Sequence, residues 1–170
     1  MKRLQLRSLR LRSGDEHRDE VSIDLEPFEL GGERYLPVPA SVPAELVVTR
    51  ATSGDVFGLR FPARLHGPCM RCLADAVAEV AVDAREYHAA DPTAGEELRS
   101  EYVVEDQLEL STWARDTIAG ALPEQILCRP DCAGLCPICG KDLNVEPHVH
   151  ESDAVDPRWS ALEALRDPGD

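Results

Sequence analysis

The stretch from 127 to 144, LCRPDCAGLCPICGKDLN, carries four of the six cysteines of this 170-residue chain: Cys128, Cys132, Cys136 and Cys139. Within it, Cys136-Pro-Ile-Cys139-Gly140 has the form of a metal knuckle. Two thiolates spaced C-x2-C reach one tetrahedral ion, while the small Gly140 lets the backbone turn back toward the sulfurs. A tetrahedral ion needs four ligands and a knuckle supplies two, so whatever this chain folds into must bring further ligands to this point.

The remaining cysteines, Cys69 and Cys72, form a second C-x2-C, and His148 and His150 lie just beyond the first knuckle. Eight soft or borderline ligands make two tetrahedral sites. The economical partition joins Cys69 and Cys72 to Cys128 and Cys132, and Cys136 and Cys139 to His148 and His150. One site built from the four clustered cysteines is the rival. It is ranked second because zinc ribbons commonly separate their ligand pairs by roughly 12–20 residues, and here the pairs nearly touch. In a regular extended segment His148 and His150 point to opposite faces, so sharing an ion requires a bend, which Pro147 allows. The plain alternative is a pair of solvated histidines. The expected cofactor is structural Zn2+, one or two ions.

The length suits a single core with a metal-bound appendage: a β-rich domain over 1–126 with one helix near its end, and a cysteine-rich zinc segment with a C-terminal helix over 127–170, packed on that core. The N-terminal MKRLQLRSLRLRSG develops no apolar h-region, and no run approaches the roughly 18 residues of a membrane span. A cytoplasmic protein is expected, where thiols stay reduced and cysteines serve metal or redox chemistry. The formal net charge of −14 is uneven. Residues 1–12 hold five cations and no acid, leaving 13 cations against 32 acids elsewhere. A body this acidic repels phosphate and attracts basic proteins. The cationic end is left two readings, a contact for nucleic acid or an edge strand with a solvated arginine face.

Alternation sets the rest. Residues 15–20 read as a charged loop, and Val21–Leu30 as a short strand entering a Gly31-Gly32 turn. Glu45–Thr49 and Phe57–His66 read as a hairpin, with Leu59, Phe61, Ala63 and Leu65 on one face. Gly67-Pro68 breaks that strand before Cys69, and Ala76, Ala78, Val80, Val82 and Ala84 share one face of the next. The first C-x2-C therefore sits between two strands, unlike a thioredoxin-type motif, which opens a helix. Residues 88–109 form a thin acidic connection. Ser111 is placed as the N-cap of a helix through Leu122 with Trp113, Ala114 and Ile118 on its apolar side, stopped by Pro123. A last short helix is expected with Asp156 as N-cap, Pro157 at N1, and Trp159, Leu162 and Leu165 inward. The fold class is α+β: an antiparallel β-rich domain with two short helices and a zinc-binding C-terminal segment.

No G-x-S-x-G, Walker A, G-x-G-x-x-G or H-E-x-x-H occurs, so hydrolytic, phosphoryl-transfer and metalloprotease readings have no anchor. Cysteines that fill a zinc's coordination close it to substrate. A non-enzymatic protein is expected, with no catalytic residues, small-molecule substrate or membrane partner. The alternative from another class is a thiol redox switch or oxidoreductase using Cys69 and Cys72.

The ordered set Cys69-Met-Arg-Cys-Leu73, Leu108-Glu-Leu110, Ala121-Leu-Pro123, Cys128, Asp131-Cys-Ala-Gly-Leu-Cys-Pro-Ile-Cys-Gly140, Asp142-Leu-Asn144 and Asp156-Pro-Arg-Trp159 resembles the YceD family, the large ribosomal RNA subunit accumulation proteins, in an actinobacterial form. The resemblance implies a cytoplasmic ribosome-biogenesis factor supporting 23S rRNA synthesis, processing or stability. His148 and His150 stand where many relatives carry C-x-C. The partner expected from charge is a ribosomal protein or rRNA-processing factor with a basic surface, with direct 23S rRNA contact second. A zinc-stabilised protein-interaction module outside ribosome assembly is the third reading.

Overall fold

The computed structural model describes residues 3–150. The helix expected from Asp156 lies outside the described residues. The chain divides into two compact units, with the break between Cys132 and Ala133.

The first unit is built on antiparallel strands: β1 (Arg3–Gln5), β2 (Glu16–Asp24), β3 (Phe28–Leu30), β4 (Glu33–Pro37), β5 (Ser41–Arg50), β6 (Gly54–Pro68), β7 (Asp75–Ala89), β8 (Val103–Val104) and β9 (Gln107–Glu109), followed by α1 (Leu110–Ala121). β6 organises the main sheet. One of its edges takes β5 and then β4, while the other pairs with β7 from Gly54↔Ala89 to Pro68↔Asp75. β2 pairs with β5 and β3 with β4, and β1, β9 and β8 make a small second sheet.

The long hairpin forms because its sequence alternates. Phe57, Leu59, Phe61, Ala63 and Leu65 are buried, while Arg60, Pro62, Arg64 and His66 face outward. Across it Ala76, Ala78, Val80 and Val82 are buried on the same face. α1 covers that face, packing against β7 and β2. Its Trp113 is almost fully enclosed, edge-on to Phe57 with ring centroids 6.5 Å apart and stacked with Tyr102 at 6.2 Å. A buried aromatic of this size removes roughly 150–250 Å² from water, more than any alanine of β7 contributes. The chain is thus α+β and antiparallel, with one α-helix among the described residues.

Four local expectations change. Residues 16–20 are strand, because β5 supplies a hydrogen-bonding partner from Glu16↔Thr49 onward. Ser111 lies inside α1, and its hydroxyl donates to the Asp24 carbonyl at 3.0 Å instead of capping. The N-terminal strand is only three residues, followed by a 3-10 turn at Leu6–Leu9. The acidic connection contributes β8 and β9, and β9 pairs with β1.

The second unit contains the Leu135↔Asp142 bridge around the Cys136 knuckle. Asn144 accepts a hydrogen bond from the Ala133 N–H through its side-chain oxygen at 2.8 Å.

Candidate metal centres

Two groups of four ligand atoms converge, Cys69, Cys72, Cys128 and Cys132 in the first unit and Cys136, Cys139, His148 and His150 in the second. Within each group the atoms lie no more than 4.8 Å from one another. Each group could hold a metal ion.

The two knuckles share one hydrogen-bond pattern. In the first, the Leu73 N–H donates to the Cys69 carbonyl at 3.0 Å and the Cys69 N–H to the Ala74 carbonyl at 2.7 Å. In the second, the Gly140 N–H donates to the Cys136 carbonyl and the Cys136 N–H to the Lys141 carbonyl, both at 2.8 Å. The residue after each C-x2-C is left-handed, Leu73 at φ 63° and Gly140 at φ 73°. That conformation folds the loop so that both sulfurs face the same point.

The first group is assembled by the return of the chain after α1. The Met70 N–H donates to the Ile126 carbonyl at 2.9 Å, and the Ile126 N–H points to the Met70 sulfur at 3.4 Å. This register brings Cys128 and Cys132 to the knuckle. Sγ of Cys69 lies 3.8 Å from that of Cys132, and Sγ of Cys72 lies 3.6 Å from that of Cys128. Four sulfurs at about 2.3 Å from a tetrahedral ion stand about 3.8 Å apart, so these separations fit. They are far beyond the roughly 2.05 Å of a disulfide.

Arg71, which the cysteine pattern does not single out, ties the two chain segments together. Its Nε donates to the Gln125 side-chain oxygen at 3.0 Å, one guanidinium nitrogen donates to the Cys132 carbonyl at 3.0 Å, and its backbone N–H points to the Cys69 sulfur at 3.4 Å. Its signal in the sequence was only its place between two ligands. Burial acts to raise the Cys69 thiol, but the N–H groups aimed at the sulfur prevail and hold it down at about 6. Burial and the neighbouring thiols push Cys128 up to about 12. Four sulfurs this close cannot all ionise unless a cation compensates them.

In the second group the chain bends so that both histidines reach the same site. Their rings meet edge to face, with centroids 4.9 Å apart at 89°. His148 Nδ1 lies 2.7 Å from the Glu146 carbonyl, which suits an N–H donor there and leaves Nε2 directed at Cys139 Sγ, 3.1 Å away. This is how metal-binding histidines are commonly oriented. His148 is raised first by the Glu146 carbonyl and then by the Cys136 thiol, and Cys136 is lowered to about 6, chiefly by the Cys139 N–H. His150 Nε2 is buried with no hydrogen-bond partner. An ion at the common point would satisfy it.

Two of the N-terminal arginines pair with acids while their side chains stay largely exposed. Arg3 pairs with Glu109 at 2.6 Å, and Arg7 pairs with Asp106. No helix among the described residues is long and apolar enough to cross a membrane.

Among curated proteins, the chain is 38% identical over 107 residues to uncharacterized proteins of Mycobacterium tuberculosis and Mycobacterium bovis, covering 60% of this chain and 51% of each relative. An uncharacterized protein of Mycobacterium leprae is 35% identical over 104 residues, 59% of this chain and 48% of the relative. The chain therefore spans about half the length of these relatives. No solved structure matches it. The family model for the large ribosomal RNA subunit accumulation protein YceD matches residues 58–166, a range that contains all eight converging ligands. With this match over more than half its length, the chain belongs to the YceD family.

Proposed function

We propose that this protein is a non-enzymatic cytoplasmic factor of large-subunit ribosome biogenesis that supports 23S rRNA synthesis, processing or stability by binding a basic protein partner. The family match over residues 58–166 carries this reading. Zn2+ is the proposed ion at both groups, with Cys69, Cys72, Cys128 and Cys132 as one ligand set and Cys136, Cys139, His148 and His150 as the other. All-cysteine and Cys2His2 tetrahedra suit its borderline softness. A set filled by protein ligands holds shape and leaves no position for a reacting water.

Charge supports a protein partner over direct rRNA contact. The formal net charge is −14, and the N-terminal Arg3 and Arg7 face acids of the same chain. Deletion in the native host should lower 23S relative to 16S rRNA, and the wild-type gene should restore it. An unchanged ratio refutes the ribosomal role and leaves an interaction module of another pathway. Capture that survives RNA digestion but is released by salt is expected; capture abolished by RNase would transfer the reading to direct 23S rRNA binding.

One observation favours a thiol redox role, the Cys69 thiol held at about 6. Against it, Cys69 is 0% exposed and has the sulfur of Cys132 close by. Reversible oxidation of Cys69 and Cys72 without metal loss would establish that role.

A further inference from the structure

β7 offers a long open edge. In an antiparallel pair the N–H and C=O of each residue point the same way, and direction alternates along the strand. The hairpin of β6 and β7 is closed at one end by Cys69 N–H to the Ala74 carbonyl and at the other by Ala90 N–H to the Ser53 carbonyl. Both bonds fall in the register that runs from Gly54↔Ala89 to Pro68↔Asp75. Even-numbered residues of β7 therefore bond to β6, and odd-numbered residues point away. The prolines of β6 agree, since Pro62 and Pro68 stand opposite Ala81 and Asp75, where no N–H is needed. Among the described residues β7 has no strand on its other side. Residues 75 to 87 thus present unpaired backbone groups along roughly 45 Å, at about 3.4 Å per residue. Such an edge is a template for another strand, and the side chains along it decide which strands are turned away.

The side chains along that edge state which strand. The odd-numbered residues lie on the outer face of the sheet, and Asp75, Val77, Glu79, Ala81 and Asp83 alternate acid with apolar, all exposed. Glu79 meets Arg64 at 3.0 Å and Asp83 meets Arg60 at 3.1 Å, both from the β6 side. Each carboxylate keeps acceptor capacity toward the open side. A neighbouring strand would place its own outward side chains beside this row, where opposite charges and apolar pairs stabilise and like charges do the reverse.

We propose that the edge of β7 is the docking site for an extended segment of a basic protein, added as a further antiparallel strand with a cation at every fourth residue and apolar residues midway between. This rests on the reading above that the partner is a basic protein. A second copy of the chain fits less well, because each copy carries −14. Two β7 strands centred on Ala81 would also set Glu79 against Asp83 twice.

The probe is the peptide Lys-Thr-Val-Thr-Lys-Thr-Val-Thr-Lys, compared with the same peptide N-methylated at both valines, which keeps the charge and removes central backbone donors. Titration of the metal-loaded protein should show the unmodified peptide binding about tenfold more tightly. Ala81→Pro removes an outward N–H opposite Pro62 and should abolish that preference. Glu79→Gln, which removes one acid of the row without setting a cation against Arg64, should weaken the unmodified peptide several-fold while changing thermal unfolding little, since both partners of that ion pair are exposed. Equal binding of the two peptides, no binding, or a wild-type dimer dissolved by Ala81→Pro would each overturn the inference. In the host, full restoration of 23S rRNA by Ala81→Pro would overturn the edge as docking site and leave the ribosomal role standing. Unchanged 23S rRNA on deletion would instead remove that role and this inference with it.

Discussion

A leucine occupies position 73 where the equivalent turn of the second knuckle has Gly140, and both are left-handed. The side chain of Leu73 is 60% exposed, so little packing offsets its backbone strain. Leu73→Gly trades that strain, on the order of 1 kcal/mol, against the greater freedom of glycine in the unfolded chain, and should change stability by less than about 0.5 kcal/mol. Leu73→Val adds a β-branch at positive φ and should cost about 1 kcal/mol or more. Urea unfolding of the metal-loaded protein tests the contrast. Asp55 offers a second test. Burial raises its carboxyl above the ordinary value against the opposing pull of Arg50, its ion-pair partner, and of His88. An acid whose folded pKa is raised contributes stability that is full below the unfolded value, about 3.9, and is lost as pH rises through the folded value. Asp55→Asn should flatten that part of the profile, so that the variant gains relative to wild type as pH rises out of that window; parallel melting-temperature profiles would refute the assignment. The raised carboxyl was invisible in the sequence, where Asp55 falls in the connection between the two strands of the predicted hairpin.

At the scale of elements, the two C-x2-C turns repeat one hydrogen-bond scheme yet share no converging ligand. Cys72→Ser and Cys139→Ser should therefore each remove one ion and leave the other bound, as read by native mass spectrometry. Loss of both ions from either single variant would contradict separate sites. The strands β5, β6 and β7 were legible because each buries one face, so apolar and polar residues alternate. β2 was legible only from Val21 onward. At Glu16–Glu20 its residues are exposed or half-buried, hydrogen bonds to β5 make it strand, and no period-2 signal arises. α1 was legible from its apolar stripe, while its first turn was not, because the Ser111 hydroxyl serves a tertiary contact with Asp24.

At the scale of the molecule, the first quartet links residues far apart in sequence, with Cys72 and Cys128 separated by 56 positions. If the proposed ion joins them, a cross-link of that span removes unfolded-state entropy worth about 4 kcal/mol in the loop-closure picture, before any strain. Chelation should lower the unfolding free energy of the wild type by a few kcal/mol. The same treatment of Cys72→Ser should have a markedly smaller effect on the sheet unit. Denaturation followed by far-ultraviolet and tryptophan signals checks both, since Trp113 reports on the core beneath the sheet.

The sequence by itself determined which side chains could ligate a metal, the antiparallel hairpin, the apolar side of α1 and the family, since each depends on spacing within a short stretch or on an ordered string of residues. Only the tertiary structure decided which sulfurs face one another, that the chain after Pro147 bends to bring His150 beside His148, that Arg71 clasps the returning segment, and that Arg3 and Arg7 meet acids of β9 and its turn. Local periodicity says which side of an element is apolar. Which distant residues lie opposite each other depends on strand register and on the path of the connecting chain, and these are settled by packing the whole unit around one core.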